Sequence, residues 1–408
     1  MKKLLAILLA MCLTLSFFAC APEASTPSGD TGSPPPAGGG DDAPPADTGT
    51  PAGGGDQPGT SAPPPASADG VPLGTPLGGD HFSREPFKIA YIVNMLTWAF
   101  NKAISDGLEA TGKKLNYEYT AWAANGDFDA YVNQIYTFAD QGYDGLILGT
   151  DDALSPRAYE AATEAGIAFV GESTTFMNDE GLCIWPSVQQ AQVQNGAMSV
   201  EWLAANYKNF WGDVDLSAVK LGLICLDFSG VSGITERKPG VSGKFAEMFP
   251  NGEFFDADLV ALGSEGFSVQ GGQDLTSQLL SQNPGIDKWF VVGLVDDWSV
   301  GATRAVEQLK MEEDVLVVSI QADAFLAEMG SGNQDSVYVA ACAVSANEFA
   351  INMANCLVAI LDGRTTAEDI WPEWRDAGGS YPRIQVAGTM ITPDTYQDYL
   401  TAQSALLA

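Results

Sequence analysis

The chain of 408 residues holds one histidine, His81, placed where a Pro- and Gly-rich leader gives way to patterned sequence. Ser-His-Asp and Cys-His nucleophile sites are therefore excluded from the folded part. A histidine-ligated zinc is excluded with them. Carboxylates remain. Asp151-Asp152 and Asp296-Asp297 could act as an acid and a base, the pairing that glycoside hydrolysis uses. Each pair, however, follows a predicted strand and precedes a predicted helix, where Asp satisfies the orphan N–H groups of a first turn. Capping is the expected role. No acidic run has calcium-loop spacing. Gly230-Val-Ser-Gly233 lacks the three-glycine dinucleotide spacing, and no phosphate-cradling loop occurs. No cofactor and no metal are expected. Cys183, Cys225, Cys342 and Cys356 are widely spaced in apolar surroundings. That is neither a disulfide framework nor a zinc pattern, so small buried hydrophobes are expected.

Residues suited to holding a ligand without altering it are easier to find. Ile89–Val93 is a β-branched apolar run, the pattern of a strand buried on both faces. A polar and aromatic loop, Asn94–Trp98, follows. Phe100, Ala103, Ile104, Gly107 and Leu108 then recur at helical spacing. In parallel α/β sheets ligands bind at the carboxyl ends of strands. Thr97, Trp98 and Phe100 are thus the first candidates.

The elements that would position them alternate with little interruption from Pro86. Strands are predicted over Tyr117–Trp122, Gly145–Gly149, Ile167–Val170 and Leu182–Trp185, with helices between them. After a helix over Val193–Tyr207 and a connector, the series restarts. Lys220–Leu226, Phe254–Leu262, Trp289–Leu294, Val315–Ile320 and Val337–Ala343 are predicted strands, and Ser345–Leu361 is a long helix. Ile384–Ile391 reads as extended chain, and a last helix starts at Pro393. Two consecutive series predict two parallel, doubly wound sheets, hence two Rossmann-like lobes with a cleft between them.

The start of the chain is not fold. Lys2 and Lys3 precede the apolar run Leu4–Phe18, which reads as a secretion signal, too short for a comfortable membrane span. Residues 21–80 hold 14 of the 23 prolines, and the expectation is a disordered tether over 21–85 with an r.m.s. span of about 45 Å. Without Lys2 and Lys3, 17 basic residues face 52 acidic ones, a net charge of −35. Nucleic acid and anionic surfaces are poor partners for such a chain.

Phe17-Phe18-Ala19-Cys20 resembles a bacterial lipoprotein cleavage box, which would make Cys20 a lipid-bearing mature N-terminus. The alternative is a secreted protein cleaved nearby. From Lys88 onward the chain resembles the periplasmic sugar-binding proteins of the ribose and galactose type, the type I solute-binding components of ABC importers. The resemblance rests on order and spacing. Its pieces are Ile89–Gly107, Gln141-Gly-Tyr-Asp-Gly-Leu-Ile-Leu148, Ala165–Val170, Glu236-Arg237, Asp296-Asp297 with Gly301-Ala302, Leu361-Asp-Gly363 and Met390–Asp394.

The resemblance implies two lobes joined by three crossovers, near Trp185–Val188, Ala341–Ser345 and Ala387–Thr392. The N-terminal lobe would comprise 86–186 plus 344–388, the C-terminal lobe 187–343 plus 389–408. Cys183 and Cys342 would lie on neighbouring hinge strands; a disulfide is conceivable, two thiols expected. Carried over by position, the ligand set is Thr97, Trp98, Phe100, Asp127, Glu172, Ser173, Arg237, Asp297, Trp298, Gln321 and Asn347. Carboxylates, amides and arginine give the planar hydrogen bonds that hydroxyl-rich ligands need, and aromatic rings stack on their apolar faces. Val295, Gln321 and Glu172-Ser173-Thr174 depart from the family's usual residues, so the implied ligand is a small polar solute of the sugar class without a name. The implied function is capture by hinge closure and delivery to an ABC permease, by a monomer anchored outside the cytoplasm. A ligand-presenting receptor for a membrane sensor and a carboxylate-based glycoside hydrolase are the alternatives.

Overall fold

A computed structural model describes residues 70–150, 153–173, 176–333 and 336–408. The expected signal, Cys20, most of the expected tether and Asp151-Asp152 lie outside the described residues. The first lobe is built from β1 (Phe87–Val93), α1 (Ala99–Leu115), β2 (Tyr117–Ala123), α2 (Phe128–Asp140), β3 (Gly145–Gly149), α3 (Ser155–Ala165), β4 (Ala168–Glu172) and β5 (Ser187–Gln190). The chain then crosses into α4 (Gln192–Asn206), the single turn α5 (Lys208–Trp211), β6 (Leu221–Asp227), the short α6 (Ser232–Thr235), α7 (Lys238–Met248), β7 (Glu253–Asp258), α8 (Val269–Gln282), β8 (Lys288–Gly293), α9 (Asp296–Leu309), β9 (Val315–Ile320), α10 (Asp323–Gly330) and β10 (Tyr338–Ala343). It returns with α11 (Ala346–Leu361) and β11 (Arg383–Val386), and crosses a third time into β12 (Thr389–Ile391) and α12 (Tyr396–Leu407).

Each lobe carries one six-stranded sheet. The orders are β11-β5-β4-β3-β1-β2 and β12-β10-β9-β8-β6-β7. All neighbours pair in parallel except β10 with β12. The buried runs explain this. β3, β6, β9 and β10 are buried at every residue, as strands covered by helices on both faces must be. In the first lobe, Ile89 and Tyr91 pack with Phe349, Met353 and Leu357 of α11, while Ala90 and Ile92 face Tyr131 and Ile135 of α2. The second lobe closes around Trp289, Phe290, Trp298 and Phe245.

Several expectations need correction. Leu182–Trp185 is no strand; only a single bridge joins Met177 to Cys183, and the fifth strand is Ser187–Gln190. Pro186 explains the displacement, since proline cannot donate to a ladder and is confined to strand margins. The first crossover therefore follows Gln190, and the first lobe extends past 186. The strand predicted over Phe254–Leu262 ends at Asp258 and tightens into a 3-10 segment. Cys183 lies beside Ser187 and Pro382 of the first lobe, whereas Cys342 sits in β10; they are not on neighbouring strands, and both are free thiols.

The expected tether is wrong at its end. Val71, Leu73 and Leu77 are buried in the first lobe's core, and the segment 71–85 runs along α11 as a strap. Its extended backbone has no ladder to join, so two fully buried asparagines supply partners. Asn352 Oδ1 accepts from the Gly74 N–H (2.7 Å) and Asn355 Oδ1 from the Leu77 N–H (2.8 Å). The Asn355 amide donates to the Pro72 and Thr75 carbonyls. Trp371 Nε1 donates to the Val71 carbonyl. Arg84 and Arg364 both pair with Asp362 at the far end of the strap. Pro and Gly in this stretch mark chain without regular structure, and that is also what a docked strap requires.

Candidate functional site

The carboxyl ends of the two sheets carry the residues that could meet a ligand. In the first lobe the loops after β1 and β2 brace one another. Asn94 Oδ1 accepts from the Gly126 N–H at 2.8 Å, and the Asn94 carbonyl accepts from the Asn125 N–H at 2.7 Å. Thr97 and Trp98 stand on this braced loop and are exposed, Trp98 to 53%. An indole so placed offers a stacking face that packing does not explain. Phe100 behaves differently. It is partly buried against Phe349 of α11, ring centroids 5.4 Å apart and edge-on, so it supports the loop from behind. Asp127 is exposed, and its Oδ1 accepts from the Ala130 N–H at 2.9 Å, capping α2.

Glu172 ends β4 with its carboxylate folded inward. It is 2% exposed and accepts from Tyr91 Oη at 3.2 Å and from Ser173 Oγ. Burial pushes its pKa up. A Cβ on Gly149 would overlap Glu172 Oε2, so the glycine is what admits the carboxylate. Ser173, at φ 54°, turns the chain away just beyond it. Glu172 therefore organises the rim without presenting a free oxygen to the cleft.

In the second lobe, Asp296 and Asp297 open α9 at the carboxyl end of β8. The expectation that Asp296 caps α9 fails: its Oδ2 accepts from the Ala324 N–H at 2.6 Å and so caps α10. Burial raises its pKa to about 7, with Asp323 and Asp297 adding like charge. Asp297 and Asp323 are both exposed; desolvation nevertheless raises both, and Asp297 adds to the shift at Asp323. Gln321 follows β9 in a left-handed conformation, φ 74°. Its carbonyl accepts from Ser319 Oγ and its N–H donates to the Cys342 carbonyl. Asp297 and Asp323 thus make an acceptor-rich face beyond β8 and β9, and Gln321 lies at the turn that leads to it.

Three predicted contacts are not on that face. Trp298 is 1% exposed and packs edge-on against Phe267 inside the second lobe; its position in α9 points it to the core while Asp297 points out. Asn347 donates through Nδ2 to the Gln403 carbonyl at 2.9 Å, on the outside of α11. Arg237 is 2% exposed and committed to protein partners. Its Nε donates to Gln192 Oε1 (2.7 Å), a terminal nitrogen to Gln190 Oε1 (2.9 Å), and the other to the Leu294 carbonyl. Burial lowers its pKa to about 10. Arg237 stitches the first crossover to the second lobe and is not free for a ligand in this arrangement.

Sequence reasoning missed Asp227 and Asp323. Asp227 ends β6, fully buried, and pairs with Lys238 at 2.8 Å while accepting from Thr235. Both follow predicted strands, a position at which ligands are met in parallel α/β sheets. Among the described residues there is no cluster of His, Cys, Asp and Glu suited to a metal.

Comparison with known proteins agrees with this architecture. A model of the periplasmic binding protein domain matches residues 89–365. A protein of Azospirillum brasilense described as an ABC transporter L-arabinose-binding periplasmic protein is 23% identical over 304 residues, covering 72% of this chain and 87% of that protein. Among solved structures, a periplasmic ribose ABC transporter protein of Conexibacter woesei superposes with a TM-score of 0.60 at 16% identity, covering 78% of this chain and 95% of the other. A periplasmic solute-binding protein of Actinobacillus succinogenes, solved with D-allose bound, gives a TM-score of 0.58 at 16% identity, over 77% and 100%. These structural likenesses show the two-lobed α/β fold. With the family model matching from β1 past α11, over more than half of the chain, the chain is a member of the periplasmic binding protein domain family.

Proposed function

We propose that this protein captures a sugar or similar small polar solute between its lobes by hinge closure and hands it to the permease of an ABC importer. Membership of a solute-binding family carries the reading, and the relatives named above bind L-arabinose, ribose and allose by their descriptions. The site residues we assign are Thr97 and Trp98 from the first lobe and Asp297, Gln321 and Asp323 from the second. Trp98 would stack on the apolar face of a ring; the acceptors would take hydroxyl protons. Asp127, Glu172 and Ser173 shape the rim, and Arg237 holds the hinge. Closure is a population shift towards the arrangement the ligand binds best. The ligand leaves unchanged in this scheme. The finer reading adds lipid attachment at Cys20 and a monomer held at the outer face of the cell membrane, supported by the signal-like start and the Pro-rich leader.

A thermal-shift panel of monosaccharides, disaccharides, nucleosides and polyols tests the proposal. One polar solute should raise the melting temperature, and Trp98→Ala should abolish the rise without lowering the melting temperature of the free protein, because Trp98 is exposed. A panel with no response, or a response indifferent to Trp98→Ala, would count against it.

A further inference from the structure

The last helix touches both lobes. Its beginning is rooted in the second lobe: Tyr396 is buried in that lobe's core and Tyr399 packs against it. One turn later the same helix meets the first lobe. Gln403 accepts through Oε1 from Ser345 Oγ, and its carbonyl accepts from Asn347 Nδ2 at 2.9 Å. The Ala408 carbonyl accepts from Lys114 Nζ of α1 at 3.0 Å. The helix rises about 1.5 Å per residue, so only some 6 Å of rigid rod separates Tyr399 from Gln403. In that distance it reaches the second crossover, where Ser345 lies between β10 and α11.

The two ends differ in chemistry. The root is apolar and shares a core with β10 and β12, so it must travel with the second lobe. The foot is polar and sits on the surface: Thr401, Ala402, Ser404 and Ala405 are exposed. Buried apolar contact is costly to open, whereas hydrogen bonds at a wet surface exchange readily with water. Asn347, which the family resemblance placed at the ligand, is used here by this foot.

We propose that α12 is a strut that limits how far the lobes spread when no ligand is bound. Its root moves with the second lobe, and its foot on Ser345, Asn347 and Lys114 restrains the first. A restraint of this kind lowers the number of open states that closure must abandon, which is the way preorganisation raises affinity. The inference depends on the lobes moving about the hinge and not on which solute they bind.

The test uses the full chain without ligand, so its outcome is separate from the search for a solute. Fluorophores are placed at Glu118→Cys and Glu253→Cys, exposed residues on edge strands β2 and β7. Cys12 and Cys20 are changed to Ser, and the four remaining cysteines are buried and unlabelled. Single-molecule energy transfer then reports the interlobe distance distribution. Asn347→Ala/Gln403→Ala should broaden it and extend it to lower transfer. Lys114→Ala, which removes one surface contact and leaves the core untouched, should do the same to a smaller degree. Unchanged distributions in a folded double variant and in Lys114→Ala would overturn the proposal, as would a shift to shorter distances.

Discussion

Asn355→Ala tests most directly whether the proline-rich segment before β1 belongs to the folded body. The side chain is fully buried and holds three backbone groups: it accepts from the Leu77 N–H at 2.8 Å and donates to the carbonyls of Pro72 at 2.9 Å and Thr75 at 2.8 Å. A net intramolecular hydrogen bond contributes about 1 kcal/mol, so the loss is about 3 kcal/mol if the strap stays in place. Leaving buried groups without partners raises the cost further, but the strap has an escape: it can lift off α11 and hydrate them. The penalty is then capped by the docking energy of Val71, Leu73 and Leu77. Two readouts separate these outcomes. For an ordered body of about 330 residues, unfolding entropy of roughly 2.1 cal/mol/K per residue makes 3 kcal/mol worth about 4–5 °C in melting temperature. Hydrogen exchange at Leu77 and Gly74, together with limited proteolysis within 70–85, reports lifting. We expect lost protection in the strap, new cleavage there, and a fall in melting temperature no larger than that of a chain starting at Arg84. If the Leu77 amide stays protected and the melting temperature is unchanged, the strap is not held by Asn355 and the reasoning fails.

Three further outcomes follow from the site. Trp298→Ala should destabilise the protein by about 3–5 kcal/mol, the range for a large aromatic removed from a core, with any surviving fold binding the same solutes; a loss of affinity without a loss of stability in chemical denaturation would return Trp298 to the ligand set. Asp296 has a folded pKa of about 7 against an ordinary 3.8, so its neutral form favours folding. That contribution is complete below about pH 4 and is lost as pH rises through 7, with a slope of at most about 1.4 kcal/mol per pH unit. Asp296→Asn, which keeps an acceptor for the Ala324 N–H, should flatten the denaturation midpoint between pH 4 and 7; an unaltered slope would refute the assignment. Arg237→Gln should alter hinge behaviour by freeing Gln190 and Gln192, seen as raised hydrogen exchange around 190–192, whereas a change confined to ligand affinity would identify Arg237 as a contact.

The architecture was legible because buried parallel strands write themselves as continuous apolar runs. Gly145–Gly149 and Val315–Ile320 fall where the pattern put them. Boundaries failed where one residue overrules pattern, as Pro186 does for the fifth strand. For the site, the strand-loop-helix pattern singled out Thr97, and the family resemblance, carried over by position, added Asp127, Glu172, Asp297 and Gln321 at or beyond strand ends. Neither could assign the direction of each side chain. Asp297 and Trp298 are neighbours in sequence, yet one faces solvent and the other the core, because successive helical positions differ by about 100°.

Composition alone determined what this protein lacks in reactive groups: with one histidine at the margin of the fold, histidine-based nucleophilic catalysis has no base. Residue order determined the two α/β series, since period and length of apolar runs are local properties. Tertiary structure decided which polar groups are spoken for. Arg237, Asn347 and Glu172 have the chemistry of ligand contacts, but burial without a partner is too costly for a charge or an amide, and each has found its partner in the protein: the hinge, the last helix and the first-lobe core. The strap shows the same logic from the other side. Val71, Leu73 and Leu77 are too few and too proline-separated to signal structure, and it takes the amides of Asn352 and Asn355 and the indole of Trp371, some 280 to 300 residues later in the chain, to satisfy the backbone that their burial encloses.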